Sequence, residues 1–290
     1  MKSPIFTGVC TALVTPFIES KVNYPMMEQL LKRQIDAGVE AVVVCGTTGE
    51  APTLSDNEKI ELFYRCKAYA GSRCKIIAGT GSNATAHAVR LSVEAEKVGV
   101  DGLLVVSPYY NKATEDGLVA HYLAVAHAVS IPVILYNVPG RTGQDMPVNA
   151  YRRLSHIPNI IGVKEASTDI CKLINIRNAC GDDFYIWTGN DNQTVPAISL
   201  GAKGVISVAS NVCPEEVLLM AEAALDGDFD TASQIAYQLQ SLNDLLFCQV
   251  NPIAVKYAMK LIGYDCGRCR LPLTTLPKEY KEKLEKYFKV

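Results

Sequence analysis

The sequence carries almost no excess charge: 28 Lys and Arg stand against 30 Asp and Glu in 290 residues, a net charge of −2. No global positive field is available to draw in phosphate backbones or anionic lipid, which argues against a dedicated nucleic-acid binder. Long hydrophobic runs are missing too, and no segment approaches the roughly 18 uninterrupted apolar residues of a membrane helix. Histidine is scarce. His87, His121, His127 and His156 fall in or beside expected helices and form neither an H-E-x-x-H zinc pattern nor a Ser/His/Asp arrangement. There is no low-complexity tract and no near-identical repeat. The expectation is a soluble, cytoplasmic chain that binds neither nucleic acid nor membrane.

What the chain does have excludes disorder and a small disulfide scaffold: 49% of residues are hydrophobic and 20% charged. A typical domain of about 150 residues would suggest two units, whereas α/β barrels run to about 250 residues as one. Ten cysteines are scattered from Cys10 to Cys269, which in a chain of this length reads as reduced, mostly buried thiols. Cys266-Gly-Arg-Cys269 has C-x-x-C spacing, but no second pair or nearby histidine completes a metal site, so it reads as two incidental thiols in a C-terminal loop. At the start, Lys2 precedes a mainly apolar run from Ile5 to Ile18. Thr7, Gly8, Thr11, Thr15 and Pro16 interrupt it, so it reads as a first strand rather than an export signal.

Eight short β-branched and aliphatic runs alternate with segments of helical spacing. They are Thr11–Val14, Ala41–Cys45, Lys75–Ala78, Gly102–Val106, Pro132–Tyr136, Ile160–Lys164, Phe184–Trp187 and Gly204–Ser207. Continuous apolar runs of this kind suit strands covered on both faces, and their spacing of roughly 20 to 35 residues fits one helix per crossover. Helix signals lie between them. Met27, Leu30, Leu31 and Ile35 form a stripe that stops at Gly38, and Ser55-Asp-Asn-Glu58 is a capping box. Asn251-Pro252 reads as a cap and first-turn proline for a helix closed by Gly263. Eight even units with no linker predict a (β/α)8 TIM barrel over residues 1–225 and a C-terminal helical region over 226–290. A doubly wound sheet is the alternative.

Active sites of such barrels lie at the C-terminal strand ends, so the residues that finish each run carry the most information. Lys164 ends the apolar run Ile160–Val163. Burial there favours the neutral amine, the form that attacks a carbonyl to give a Schiff base. A lysine that snorkels outward or pairs with Glu165 is the other reading, weakened because adjacent strand residues face opposite sides. Gly46-Thr47-Thr48-Gly49 suits a small carboxylate through converging backbone N–H groups and two hydroxyls. A phosphate cradle or an ordinary turn stays open there, although the G-K-[ST] ending of a P-loop is missing. Tyr136 is either a proton-relay phenol or packing, and Tyr109 and Tyr110 read as rim residues. Arg141, after Pro139-Gly140, is either a carboxylate clamp or a solvated loop arginine.

Taken in chain order, Gly46-Thr-Thr-Gly-Glu50, Pro108-Tyr-Tyr-Asn-Lys112, Tyr136-Asn-Val-Pro-Gly-Arg-Thr142 and Gly162-Val-Lys-Glu-Ala-Ser167 closely resemble the 4-hydroxy-tetrahydrodipicolinate synthase (dihydrodipicolinate synthase) family of the pyruvate-dependent class I aldolase and N-acetylneuraminate lyase superfamily. The similarity covers essentially the whole chain. It implies a (β/α)8 lyase that condenses pyruvate with L-aspartate 4-semialdehyde at the entry to diaminopimelate and lysine synthesis, with neither metal nor organic cofactor. It matches Lys164 to the Schiff-base lysine and Tyr136, Thr47 and Tyr110 to a proton relay in which the last residue comes from a neighbouring subunit. Thr48 matches a pyruvate-carboxylate contact, and Gly189 and Ile206 match positions whose backbone lines the site. Arg141 matches the arginine that receives the semialdehyde carboxylate. A homotetramer is implied.

Sialic-acid lyases of the superfamily generally lack an arginine at that turn and have Gly-Ser-Thr-Gly-Glu where this chain has Gly46-Thr47-Thr48-Gly49-Glu50. That favours the synthase over a lyase for long sugar acids. Another pyruvate aldolase, a non-catalytic metabolite-binding barrel and a phosphate-binding barrel are the alternatives. The family's lysine-effector positions match Asp56, Lys59, Asn83, His87 and Tyr109. An acidic partner is lost at His87 and positive charge is added at Lys59, so weak or absent inhibition by lysine is expected.

Overall fold

The computed structural model describes residues 2–289. Eight parallel strands close on themselves: β1 (Gly8–Ala12), β2 (Ala41–Val44), β3 (Lys75–Gly79), β4 (Gly102–Val106), β5 (Val133–Asn137), β6 (Ile160–Glu165), β7 (Tyr185–Thr188) and β8 (Gly204–Ser207). Each pairs with its successor, and β8 returns to β1 with Gly8 opposite Gly204, so the doubly wound alternative is excluded. Closure is tight at that seam. A Cβ on Gly204 would lie 1.8 Å from the Gly8 carbonyl oxygen, and its φ of 140° is one that only glycine adopts readily.

The crossover helices are α1 (Tyr24–Asp36), α2 (Asp56–Ala70), α3 (Thr85–Val98), α4 (Glu115–Ala128), α5 (Val148–Leu154), α6 (Cys171–Cys180), α7 (Thr194–Ser199) and α8 (Pro214–Leu225). The stripe expected from Met27, Leu30 and Leu31 is buried on α1, and Gly38 follows that helix with a left-handed φ of 88°. At α2 the capping box forms as read, with both Ser55 and Glu58 engaged. Three further helices, α9 (Phe229–Leu246), α10 (Ile253–Leu261) and α11 (Lys278–Phe288), complete the described chain without another strand.

Because each strand is covered on both faces, the core has two layers. Val42, Val44, Leu103, Val105, Val133, Leu135 and Val163 pack outward under the helices, whereas Val43, Ile77, Leu104, Ile134, Ile161 and Ile206 fill the barrel interior. Phe6 stacks on Trp187 inside the N-terminal end of the barrel, with ring centroids 5.0 Å apart.

Most strands differ from the expected runs by one residue at one or both ends, and three departures are larger. The first strand is Gly8–Ala12 rather than Thr11–Val14, because its register partner Gly204 draws the pairing toward Gly8. An unforeseen two-stranded ribbon joins Phe17–Ile18 to Lys21–Val22. The third concerns α10, which begins at Ile253 with Pro252 as its cap, so Asn251 does not cap it. All ten cysteines are free thiols, and burial pushes those of Cys266 and Cys269 up to about 12.

Candidate active site

The residues that end the strands gather at one mouth. Tyr136 on β5 and Lys164 on β6 are register partners, so both project into the barrel at the same level. The Lys164 amine lies 4.7 Å from the centre of the Tyr136 ring. The lysine is only 5% exposed. Among the described residues no carboxylate comes within ion-pair distance of it, in contrast to the buried Lys172 and Lys256, which pair with Asp145 and Glu50. Space for its chain comes from Gly189, where a Cβ would sit 2.8 Å from Lys164 Cε.

Above this pair opens a cleft of about 310 Å³ that includes Thr47, Tyr136, Arg141 and Asn251 in its lining. Lys164, Thr48, Gly189 and Ile206 are not among its lining residues; Lys164 adjoins it through the Tyr136 ring and Thr48 through Asn251. Thr48 is buried in the turn after β2, a turn flanked by the left-handed non-glycine residues Cys45 and Glu50. Ile206 is wholly buried in the interior layer. Arg141 sits on the helical turn Pro139–Thr142, is largely exposed, and donates through Nη2 to the Asn251 carbonyl at 3.2 Å.

Tyr110 does not line this cleft either, and it is the expected site residue that stands out into solvent. It is 92% exposed and adopts a left-handed φ of 69°.

Two buried polar assemblies hold the site from behind. One residue beyond the Tyr136–Lys164 pair, Asn137 faces Glu165 and donates to both its carboxylate oxygens, at 2.8 and 3.1 Å. Tyr151 donates to the same carboxylate at 3.0 Å, and Lys172 pairs with Asp145 beside it. Glu165 therefore serves the outer side of the strand and is not a partner of Lys164, as period-2 geometry requires. On the other flank of Lys164, just after β7, the Asp191 carboxyl accepts from Ser207 and from the N–H groups of Val208 and Ala209; burial nevertheless raises its pKa.

The C-terminal region contributes what the sequence reading missed. Asn251 donates through Nδ2 to Thr48 Oγ1 at 2.9 Å, and Lys256 of α10 pairs with Glu50 at 2.6 Å. The backbone N–H of Arg270 reaches the second Glu50 oxygen at 2.9 Å, and its guanidinium grips Glu58, holding that carboxyl at about 2, well below the usual 4.5. The only local signal at Asn251, its place before a proline, pointed to a helix cap.

Near the cleft's outer wall, Lys59, Ser82, His87 and Tyr109 come together. His87 is engaged on both ring nitrogens, with Asp56 at 2.8 Å and Ser82 at 3.0 Å. That pairing lowers the Asp56 carboxyl pKa. His121 is buried on α4 against Thr85, and desolvation lowers it to about 4. Among the described residues no group of three or more potential ligands could hold a metal ion.

A buried lysine amine without a carboxylate partner among the described residues, set at the C-terminal mouth of a (β/α)8 barrel, suits carbonyl condensation. A profile of the dihydrodipicolinate synthetase family matches residues 5–290. The chain belongs to this family. The 4-hydroxy-tetrahydrodipicolinate synthase of a Thermoanaerobacter species is 44% identical over 283 residues, covering 97% of this chain and 95% of that one. The crystal structure of dihydrodipicolinate synthase from Aquifex aeolicus matches with a TM-score of 0.96 at 44% identity, covering 98% of this chain and 97% of that one. The chloride-inhibited enzyme from Acinetobacter baumannii, solved in complex with pyruvate, matches with a TM-score of 0.96 at 38% identity over 98% of both chains. Family members are lyases of the Schiff-base aldolase type, and this chain shares their fold over 98% of its length. No helix among the described residues is long and apolar enough to cross a membrane.

Proposed function

We propose that the chain condenses pyruvate with L-aspartate 4-semialdehyde to 4-hydroxy-tetrahydrodipicolinate, as a cytoplasmic step of diaminopimelate and lysine synthesis. The observation that carries this reading is the buried, carboxylate-free Lys164 amine set 4.7 Å from the Tyr136 ring beneath an open cleft. Its amine attacks the pyruvate keto carbon and water leaves, giving an imine. Once protonated, the imine is an electron sink; the pyruvate methyl then loses a proton, the resulting enamine attacks the aldehyde carbon, and the semialdehyde's own amino group displaces the Lys164 nitrogen from the imine carbon, closing the ring and freeing the amine. The imine itself supplies the sink, so the reading calls for neither metal nor organic cofactor.

In this reading Tyr136 and Thr47 move protons, the Thr48 hydroxyl and the Gly49-containing turn hold the pyruvate carboxylate, and the backbone of Gly189 and Ile206 bounds the pocket. Arg141, at the exposed rim, receives the semialdehyde carboxylate with its planar fork. Tyr110 completes the relay of a neighbouring copy, a role supported by its exposure away from its own cleft. The assembly is then a homotetramer built from dimers that share sites. Residues 1–225 form the catalytic barrel, and 226–290 form a helical region that buttresses its mouth.

Borohydride reduction with pyruvate, followed by peptide mapping, tests the central step. A pyruvate-dependent adduct on the Lys164 peptide is expected; its absence would sink the mechanism. The effector positions support a second expectation. Asp56 is already committed to His87 and Arg90, and Lys59 adds a cation to the same wall, so free lysine is a poor ligand there.

A further inference from the structure

Resting on that reading, we infer that Asn251 is a positioning residue that sets the direction of the Thr48 hydroxyl and ties together the two substrate subsites. Asn251 is 5% exposed and comes from the loop before α10, 203 positions away from Thr48 in the chain. Its side chain and its main chain act on different partners. The amide Nδ2 donates to Thr48 Oγ1 at 2.9 Å, whereas the main-chain carbonyl accepts from Arg141 Nη2 at 3.2 Å. One residue therefore touches both the group assigned to the pyruvate carboxylate and the group assigned to the semialdehyde carboxylate.

The polarity of the first contact matters. A hydroxyl has one proton and two lone pairs. With a lone pair of Thr48 Oγ1 occupied by the amide donor, its proton is left to donate, and among the described residues it donates to no protein acceptor. An outward hydroxyl proton is what an incoming carboxylate needs. Asn251 is held in place by a second grip on the same turn, because Lys256, five residues later, forms its buried pair with Glu50, two residues after Thr48. The two contacts fix the α10 segment and the Gly46–Gly49 turn in one register.

The test uses steady-state kinetics with each substrate varied, alongside thermal melting. Asn251→Asp keeps the shape but removes the donor; the Thr48 proton turns to the new carboxylate and negative charge is placed near the pyruvate carboxylate. The pyruvate KM should rise about ten- to hundred-fold. Asn251→Ala removes the donor without adding charge and should raise it only about three- to ten-fold. In both, the semialdehyde KM stays within about two-fold, because the Arg141 contact is to the main chain. In a Thr48→Val background, Asn251→Ala should add almost nothing, since the two residues act through one bond. Should the Asp variant not fold, the Ala variant and the Thr48 cycle carry the test.

An unchanged pyruvate KM in the folded variants, an Ala effect as large as the Asp effect, or simple additivity with Thr48→Val would each overturn the assignment of Asn251. A wild-type chain that forms no pyruvate adduct on Lys164 would overturn the site reading and this assignment with it. An adduct in wild type with wild-type kinetics in the variants removes Asn251 alone.

Discussion

The two ends of the barrel interior solve opposite problems with neighbouring residues of the same strands. At the N-terminal end, polar atoms close on one another. Trp187 stacks on Phe6 and donates to its carbonyl at 3.3 Å, Tyr185 donates to the Lys2 carbonyl at 2.5 Å, and the Lys2 amine is shared by the Ser155 and Ile160 carbonyls, both at 2.6 Å. At the C-terminal end the polar groups are held in place but left with bonding capacity to spare. Among the described residues the Lys164 amine has no carboxylate partner, the Thr48 hydroxyl donates to no protein group, and Arg141 reaches the rim with most of its fork free. A saturated end stabilises the fold, and an unsaturated end is available to substrate.

The buried lysines repeat the lesson. Lys256 and Lys172 are as enclosed as Lys164, yet each meets a carboxylate, Glu50 in one case and Asp145 in the other. A buried charge paired in this way is costly to orphan, so these two lysines serve the scaffold. Lys164 has no such partner among the described residues, and it is the lysine to which the proposed Schiff-base chemistry is assigned.

The contrast can be broken from either end. Lys164→Ala should abolish adduct formation and turnover while leaving the melting temperature unchanged or raised, because a confined amine without a partner is removed. Activity followed by calorimetry distinguishes this from unfolding, and turnover by the variant would erase the difference between the ends. Trp187→Ala should do the reverse, lowering unfolding free energy by about 3 to 5 kcal/mol through lost packing. Urea titration measures that loss, and a fully stable variant would deny the Phe6–Trp187 packing its role.

Smaller effects sharpen the comparison at the rim. Arg141→Ala should raise the semialdehyde KM by about ten- to hundred-fold while the rate of pyruvate adduct formation changes little. Equal loss in both would contradict its position at the second subsite. Arg270→Ala should destabilise by about 2 kcal/mol at neutral pH. Because Arg270 holds the Glu58 carboxyl at about 2, below its ordinary 4.5, that pair's contribution is present above pH 4.5 and is lost as the pH falls toward 2. Wild type and variant should therefore converge in stability across this acid window, as melting at stepped pH will show. The smallest expected effect is that of free lysine, for which half-inhibition at submillimolar concentration with saturating substrates would refute the charge argument at Lys59 and His87.

Much of this was legible along the chain. Strand runs covered on both faces read as apolar blocks, and the C-terminal ends of those blocks carried Thr47, Tyr136 and Lys164. The motifs stood out because a βα turn is local: its glycines, hydroxyls and strand-ending side chains lie within a few residues of each other. Asn251 was not legible as a site residue. Its local context is that of a helix cap, and its actual partner lies on the far side of the sequence. The same holds for Arg270, whose contacts with Ser20, Thr53 and Glu58 no spacing rule foreshadows.

The sequence by itself determined the alternation of strands and helices and the closing count of eight, since both follow from hydrophobic periodicity, and it marked Lys164 as the lysine that ends a buried run. Only the tertiary structure decided which buried charges are neutralised and which hydroxyl protons are left without a protein acceptor among the described residues. Those outcomes depend on contacts between segments as distant as Glu50 and Lys256, which come together when closure of the barrel brings the final helices back over the mouth.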